Sequence, residues 1–158
     1  GIVRKDWFFG PYCAQSILAV DQIMWTTCAE IALNHIEGGD ENAMKANIEF
    51  SNKQLEHSVG LVRLDLSKLQ RVLMGALIVL DVHGITVLDN LVTSSCRSTN
   101  DFDWSKQLRY YWAVDEVTTS DGNRVSDDCI VRQTIAAFRY SFEYLGNTPR
   151  LVVTPLTD

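Results

Sequence analysis

The segment Ser67-Lys68-Leu69-Gln70-Arg71-Val72-Leu73-Met74-Gly75-Ala76-Leu77-Ile78-Val79-Leu80 decides the fold class. Its first four residues carry a capping-box pattern. The Ser67 hydroxyl is placed to accept from the third helical N–H, and the Gln70 side chain to reach back to the Ser67 N–H, so two orphan donors of a helix start are met. Behind this cap Leu69, Val72, Leu73, Ala76, Leu77 and Leu80 recur at helical spacing and predict a helix with one apolar side. The apolar run from Val72 to Leu80 stops at Asp81, short of the roughly 20 residues a membrane span requires. A core helix is expected, and no membrane partner.

The helical reading extends outward in both directions. On the carboxyl side Val82, Ile85, Leu88, Leu91 and Val92 predict a fourth helix, or a kinked continuation at Gly84. Polar residues from Thr93 to Asp101 then close the helical half. On the amino side Leu55, Val59, Val62 and Leu66 give one apolar side to a second helix, capped by Asp40 and running to about Asp65. Gly38 and Gly39 separate it from a first helix over Ala14 to Ile36. That helix carries Ile17, Leu18, Val20, Ile23, Met24, Ala29, Ile31 and Leu33, a stripe broken near Thr26 and Thr27.

The pattern changes after residue 105. Gln107 to Val114 is aromatic and β-prone, and a polar loop follows from Asp115 to Asp128. Cys129 to Tyr144 alternates with period two, Phe138, Tyr140 and Phe142 against Arg139, Ser141 and Glu143, and meets a turn at Gly146-Asn147-Thr148-Pro149. Arg150 to Thr154 reads as a third strand, stopped by Pro155, which lacks the N–H a ladder needs. The short connections predict an antiparallel meander. The expected fold is mainly α with a small antiparallel β element: a helical bundle followed by a three-stranded β meander.

Composition narrows the function classes. The 158 residues are 46% hydrophobic and 22% charged, a globular balance far from disorder. A net charge of -6, with 14 scattered basic residues, argues against a nucleic-acid partner, which selects Lys and Arg gathered on one face. The amino terminus, Gly1 to Lys5 leading into Trp7, Phe8 and Phe9, has no secretory leader pattern and suggests the cytosol. Cys13, Cys28, Cys96 and Cys129 show no Cys-x-x-Cys spacing, so buried reduced thiols are expected.

Signatures of catalysis are missing. No Gly-x4-Gly-Lys-Ser/Thr, Gly-x-Gly-x-x-Gly, His-Glu-x-x-His, Gly-x-Ser-x-Gly or calcium loop occurs. His35, His57 and His83 lack a second ligand at helical spacing, so no metal site is expected. The acidic neighbours Asp40 with Glu41 and Asp127 with Asp128 point in different directions and read as caps and loops. Trp7, Phe8, Phe9, Trp25, Trp104, Tyr110, Tyr111 and Trp112 are read as core, wedging helices against the sheet.

The run Phe138-Arg-Tyr-Ser-Phe-Glu-Tyr-Leu-Gly-Asn-Thr-Pro-Arg-Leu-Val-Val-Thr-Pro-Leu-Thr-Asp158 resembles dynein heavy chains just upstream of their first AAA module. The resemblance extends through Lys106 to Trp112, Asp81-Val-His-Gly84, Glu41 to Lys45 and Asp21-Gln-Ile-Met-Trp25, nearly the whole chain. Phe102 to Trp112 looks closest to axonemal members. Pro11-Tyr12-Cys13-Ala14-Gln15 departs from the family's usual Tyr-Pro-Ala-Gln, and the 115–128 loop is longer than usual. The resemblance implies residues 1–105 as the helical part of the linker, 106–150 as its β-meander end, and 151–158 as the start of the first AAA module.

It further implies the root of a lever that straightens with the nucleotide cycle of a minus-end-directed, ATP-driven microtubule motor. Leu151, Val152, Val153, Thr154, Pro155, Leu156 and Thr157 would run beside the adenine in the first module. ATP or ADP with Mg would be bound by the parent motor, and no tight nucleotide binding or catalytic residue is expected of this stretch alone. Partners would be the remainder of the heavy chain with its AAA ring, and microtubules and intermediate or light chains through the parent, in a ciliary or flagellar axoneme. The chain closes on Pro155-Leu156-Thr157-Asp158, with Asp158 suited to cap a helix beyond it, and a longer polypeptide is expected. A self-contained helical adaptor is the competing reading.

Overall fold

The computed structural model describes residues 4–140. Helices α1 (Arg4–Phe8), α2 (Ala14–Glu37), α3 (Ala43–Leu61), α4 (Lys68–Thr93) and α5 (Phe102–Ser105) come first. Strands β1 (Arg109–Ala113), β2 (Val117–Thr118), β3 (Arg124–Val125), β4 (Asp128–Gln133) and β5 (Ala136–Arg139) follow. The fold is mainly α with a small antiparallel sheet, the class the residue pattern predicts. The turn expected at 146–149 and the strand expected at 150–154 lie outside the described residues.

The capping box forms: the Gln70 N–H donates to Ser67 Oγ at 3.1 Å and the Ser67 N–H to Gln70 Oε1 at 2.9 Å. From there α4 runs 26 residues without interruption, so the stripe from Val82 continues the same helix through Gly84 and is not a separate fourth one. Gly84 serves close approach. A Cβ there would lie 2.6 Å from Trp25 Nε1 and 2.9 Å from its Cδ1, so the bare backbone of α4 is what admits the α2 indole. At this length α4 is long and apolar enough to cross a membrane, unlike the shorter run read from sequence. Its Leu73, Met74, Leu77, Leu88 and Leu91 are buried in the protein's own apolar clusters, which makes it the core helix of a bundle.

α2 is likewise one helix of 24 residues, unbroken at Thr26 and Thr27. Both hydroxyls donate to the carbonyl four residues back, Thr26 to Gln22 at 3.0 Å and Thr27 to Ile23 at 2.9 Å, so neither disturbs the backbone ladder. Beyond its end, Gly39 at φ 111° takes a conformation that lets the Asp40 N–H reach back to His35 O at 2.9 Å. The Asp40 carboxylate accepts the Asn42 N–H at 3.1 Å, but the N-cap of α3 is Asn42, with no side-chain cap bond, which corrects the reading of Asp40 as the cap.

α3 stops at Leu61, short of the predicted Asp65. The N–H groups of Val62, Arg63 and Leu64 bond to Val59, Gly60 and Leu61, a tightening to three-residue turns that ends the helix. The Arg71 side chain then takes the carbonyls of Val62 and Leu64, both at 3.3 Å. Met44, Ser58 and Leu61 are buried, whereas Val59, predicted to face the core, is exposed. Leu69 and Val82, also predicted inward, are exposed on α4.

The three long helices run up, down and up around two apolar clusters. Phe8, Ile17, Leu61, Leu73 and Leu77 form one, near the start of α2 and α4. Leu33, Ile36, Met44, Leu88 and Leu91 form the other, with Trp104 of α5 packed into it. The principal sheet has the order β1-β4-β5, all antiparallel, with Tyr110 opposite Val131 and Val131 opposite Phe138. The stretch read as one strand from Cys129 is two strands, divided at Thr134-Ile135. Thr134, at φ 50°, donates its N–H to Ser105 O at 2.7 Å, and Arg109 Nη2 donates to its carbonyl at 3.1 Å. The polar 115–128 loop contains a second small ladder, β2 with β3.

Candidate functional site

The predicted nucleotide contacts, Leu151 to Thr157, lie outside the described residues. Within 4–140 the unusual chemistry gathers at two places along α2. The first is its joint with the sheet. Thr26 is fully buried, and its hydroxyl oxygen accepts the backbone N–H of Tyr110 at 2.9 Å. One turn on, Glu30 Oε1 accepts from Trp104 Nε1 at 3.1 Å and from the Tyr111 hydroxyl, which in turn accepts from Arg109 Nη1 at 3.2 Å. Burial and the Glu30 carboxylate push the Tyr111 phenol up to about 12, so it stays a donor to Glu30. The fully buried Trp104 ring stacks obliquely on Trp25, centroids 5.6 Å apart. Helix α2 is thus tied to β1 and α5 by polar bonds through a shared aromatic contact.

The second place is the gap between the two apolar clusters, where a cavity of about 360 Å³ opens among α1, α2, α3 and α4. Its charged lining is Asp21, Asp81 and Arg4, beside Trp25. Arg4 Nη2 lies 3.4 Å from Asp21 Oδ1 and 3.6 Å from Asp81 Oδ2, while Nη1 donates to Ser58 Oγ at 2.7 Å and Gln54 O at 3.3 Å. One guanidinium therefore serves two carboxylates and two further acceptors. Burial, followed by the charge of Asp81, raises the Asp21 carboxyl to about 7, with Arg4 opposing. Burial raises Asp81 as well, against the pull of Arg4. Asp81 Oδ2 and Trp25 Nε1 are buried and make no hydrogen bond among the described residues.

No model of a known protein family matches the chain. Against individual proteins, it is 39% identical over its whole length to dynein axonemal heavy chain 6 of Homo sapiens, of which it covers 4%. Over 98% of its length it is 38% identical to the dynein-1-beta heavy chain of the flagellar inner arm I1 complex of Chlamydomonas reinhardtii, covering 3% of that protein. The figures are the same, 38% over 98% and 3%, for the dynein alpha chain of the flagellar outer arm of that organism. The chain belongs to the dynein heavy chain family.

Two of the blocks that carry the dynein resemblance meet in space. Asp21-Gln-Ile-Met-Trp25 lies against Asp81-Val-His-Gly84, carboxyl group to carboxyl group at one end and indole to glycine at the other. Neither contact was visible in the sequence; the only cue was a glycine, Gly84, inside a predicted helical stretch. Cys129 is buried in β4, its thiol pushed up to about 12 by burial and Asp128, while His83 is exposed on α4. Cys96 is buried as expected, but Cys28 is half-buried and Cys13 exposed. Trp7 and Phe9 are half-buried and Trp112 is half-exposed, whereas Phe8, Trp104 and Tyr110 are core.

Proposed function

We propose that this dynein heavy-chain segment is the ring-proximal end of the motor's linker, in an axonemal member, and carries nucleotide-driven movement from the AAA ring into the lever. The observation that carries the reading is the joint of Thr26 and Glu30 with Tyr110, Tyr111 and Trp104, buried at Thr26 and part-buried at Glu30. A lever that yields at its root dissipates a shift between two conformations, so the root has to move as one body. Packed helices tied to a sheet by satisfied, partly buried polar bonds meet that requirement. The segment itself supplies no bond-breaking chemistry in this reading.

Axonemal placement draws on the names of the relatives, which are axonemal, ciliary or flagellar heavy chains. The parent would be a microtubule motor of the ciliary or flagellar cytoskeleton, with intermediate and light chains reached through other parts of it. Leu151 to Thr157 would lie along the adenine of ATP or ADP, with the phosphates and Mg held by the module that follows. The test is a Thr26→Val substitution in the intact motor, read by microtubule gliding and ATP turnover together. Gliding should slow while turnover per motor persists. Unchanged gliding, in a variant whose joint is measurably loosened, would remove the force-bearing role.

A further inference from the structure

We propose that the β2–β3 hairpin is a guard on the sheet: it clasps the outer edge of β5 through Ser120 and keeps that edge from pairing with β5 of a second copy of the chain. The strand order β1-β4-β5 leaves two edges. At β1 the outward N–H of Tyr110 is taken by Thr26 of α2. At β5 the outward backbone groups are those of Ala137 and Arg139. Tyr140 donates its N–H to Cys129 O of β4 at 2.9 Å, so Phe138, two residues before it, also turns inward, and the residues between turn out. Ser120 meets Ala137 twice. Its N–H donates to the Ala137 carbonyl at 2.7 Å, and its Oγ accepts the Ala137 N–H at 2.8 Å. One residue thus stands in for a neighbouring strand, with a hydroxyl in the place of a carbonyl.

The tip of the hairpin is built to hold that residue in place. Gly122, at φ 86°, donates its N–H to Thr119 O at 2.9 Å, and the Thr119 N–H donates to Asn123 O at 2.8 Å. The Asp121 carboxylate accepts from the Thr119 hydroxyl, the Asn123 N–H and the Asn123 side-chain amide. Such a turn, closed by an aspartate on the backbone two residues on, keeps Ser120 in register with Ala137. The edge it covers is one that pairs readily. Cys129 to Phe138 has one charge in ten residues and no proline, the composition that adds strand to strand where an edge lies open. Ile135 is 99% exposed and Phe138 50%, so apolar contact would accompany the pairing. Two β5 edges set antiparallel match each other about a two-fold axis, so a second copy supplies every group the pairing needs.

The test compares the 158-residue parent with Ser120→Ala, Ser120→Thr and Gly122→Val. Hydrogen exchange at low concentration reads the clasp, and sedimentation velocity over a concentration series reads association. In Ser120→Ala the Ala137 amide should exchange about tenfold faster, the factor given by one lost hydrogen bond. The Tyr110 amide should keep its protection, which shows that the chain is folded. The variant should then sediment faster as its concentration rises, and the Arg139 amide should become protected in the associated form. Ser120→Thr keeps the hydroxyl and should match the parent in both measurements. Gly122→Val strains the tip at φ 86° and should release the clasp by a second route, with the same association. Any of four results overturns the guard: Ala137 exchanging in Ser120→Ala as in the parent, a released clasp in either variant without association, an associated form that leaves Arg139 unprotected, or a parent chain that already associates through β5.

Discussion

Individual residues here are set by what lies opposite them. Gly84 and Gly75 are both inside α4, yet a Cβ at Gly84 would meet the Trp25 indole at 2.6 Å while one at Gly75 would meet nothing within 4 Å. Gly84→Ala should therefore destabilise the chain by about 1–3 kcal/mol through overpacking. Gly75→Ala should stabilise it by about 0.5–1 kcal/mol, since alanine restricts the unfolded backbone and costs nothing in open space. Urea unfolding of the two variants checks both signs. Asp21 gives a pH test at the same scale. Its folded value of about 7 lies above the ordinary 3.8, so the unfolded chain releases this proton first. Its stabilising contribution is complete below the ordinary value and is lost as pH rises through about 7. Asp21→Asn, which stays neutral, should gain in melting temperature over the parent progressively between those two values. A difference that does not change with pH would show that Asp21 does not titrate in this window.

At the scale of elements, the polar bonds between α2 and β1 matter more than the apolar stripes that announce the helices. Thr26→Val keeps the shape but leaves the buried Tyr110 N–H without its acceptor at 2.9 Å, and should cost about 1–3 kcal/mol. Thr27→Val, on the exposed side of the same turn, should be close to neutral, and denaturant titration compares the two. The helices were largely legible because a capping box and apolar periodicity are local signals. The misplaced boundaries trace to contacts made at a distance. The apolar stripe lapses at Thr26 and Thr27 while the helix continues, both hydroxyls finding carbonyls inside it. The turn dividing β4 from β5 escaped notice because Thr134 and Ile135 carry no turn chemistry, and the bonds that hold Thr134 come from Ser105 and Arg109. The cleft was not legible at all: Asp21 and Asp81 lie far apart in the chain, and only the parallel course of α2 and α4 brings them together. The adenine-side residues, Leu151 to Thr157, were read from family resemblance and fall outside the described residues.

For the molecule as a whole, the account requires bundle and sheet to open together instead of separately. The apolar cluster around Leu33 and Leu88 is continuous with Trp104, and Trp104 shares Glu30 with Tyr111 of the sheet. No region of low stability then separates the helices from β1, and local opening of one costs the contacts of the other. Native-state hydrogen exchange of the backbone amides tests this most directly. The Tyr110 amide and the amides around Leu33 in α2 should exchange with the same opening free energy and the same denaturant dependence. If the amides of β1 and β4 exchange through a separate, less costly opening while α2 stays protected, the joint is a hinge and the segment cannot be the stiff root of a lever.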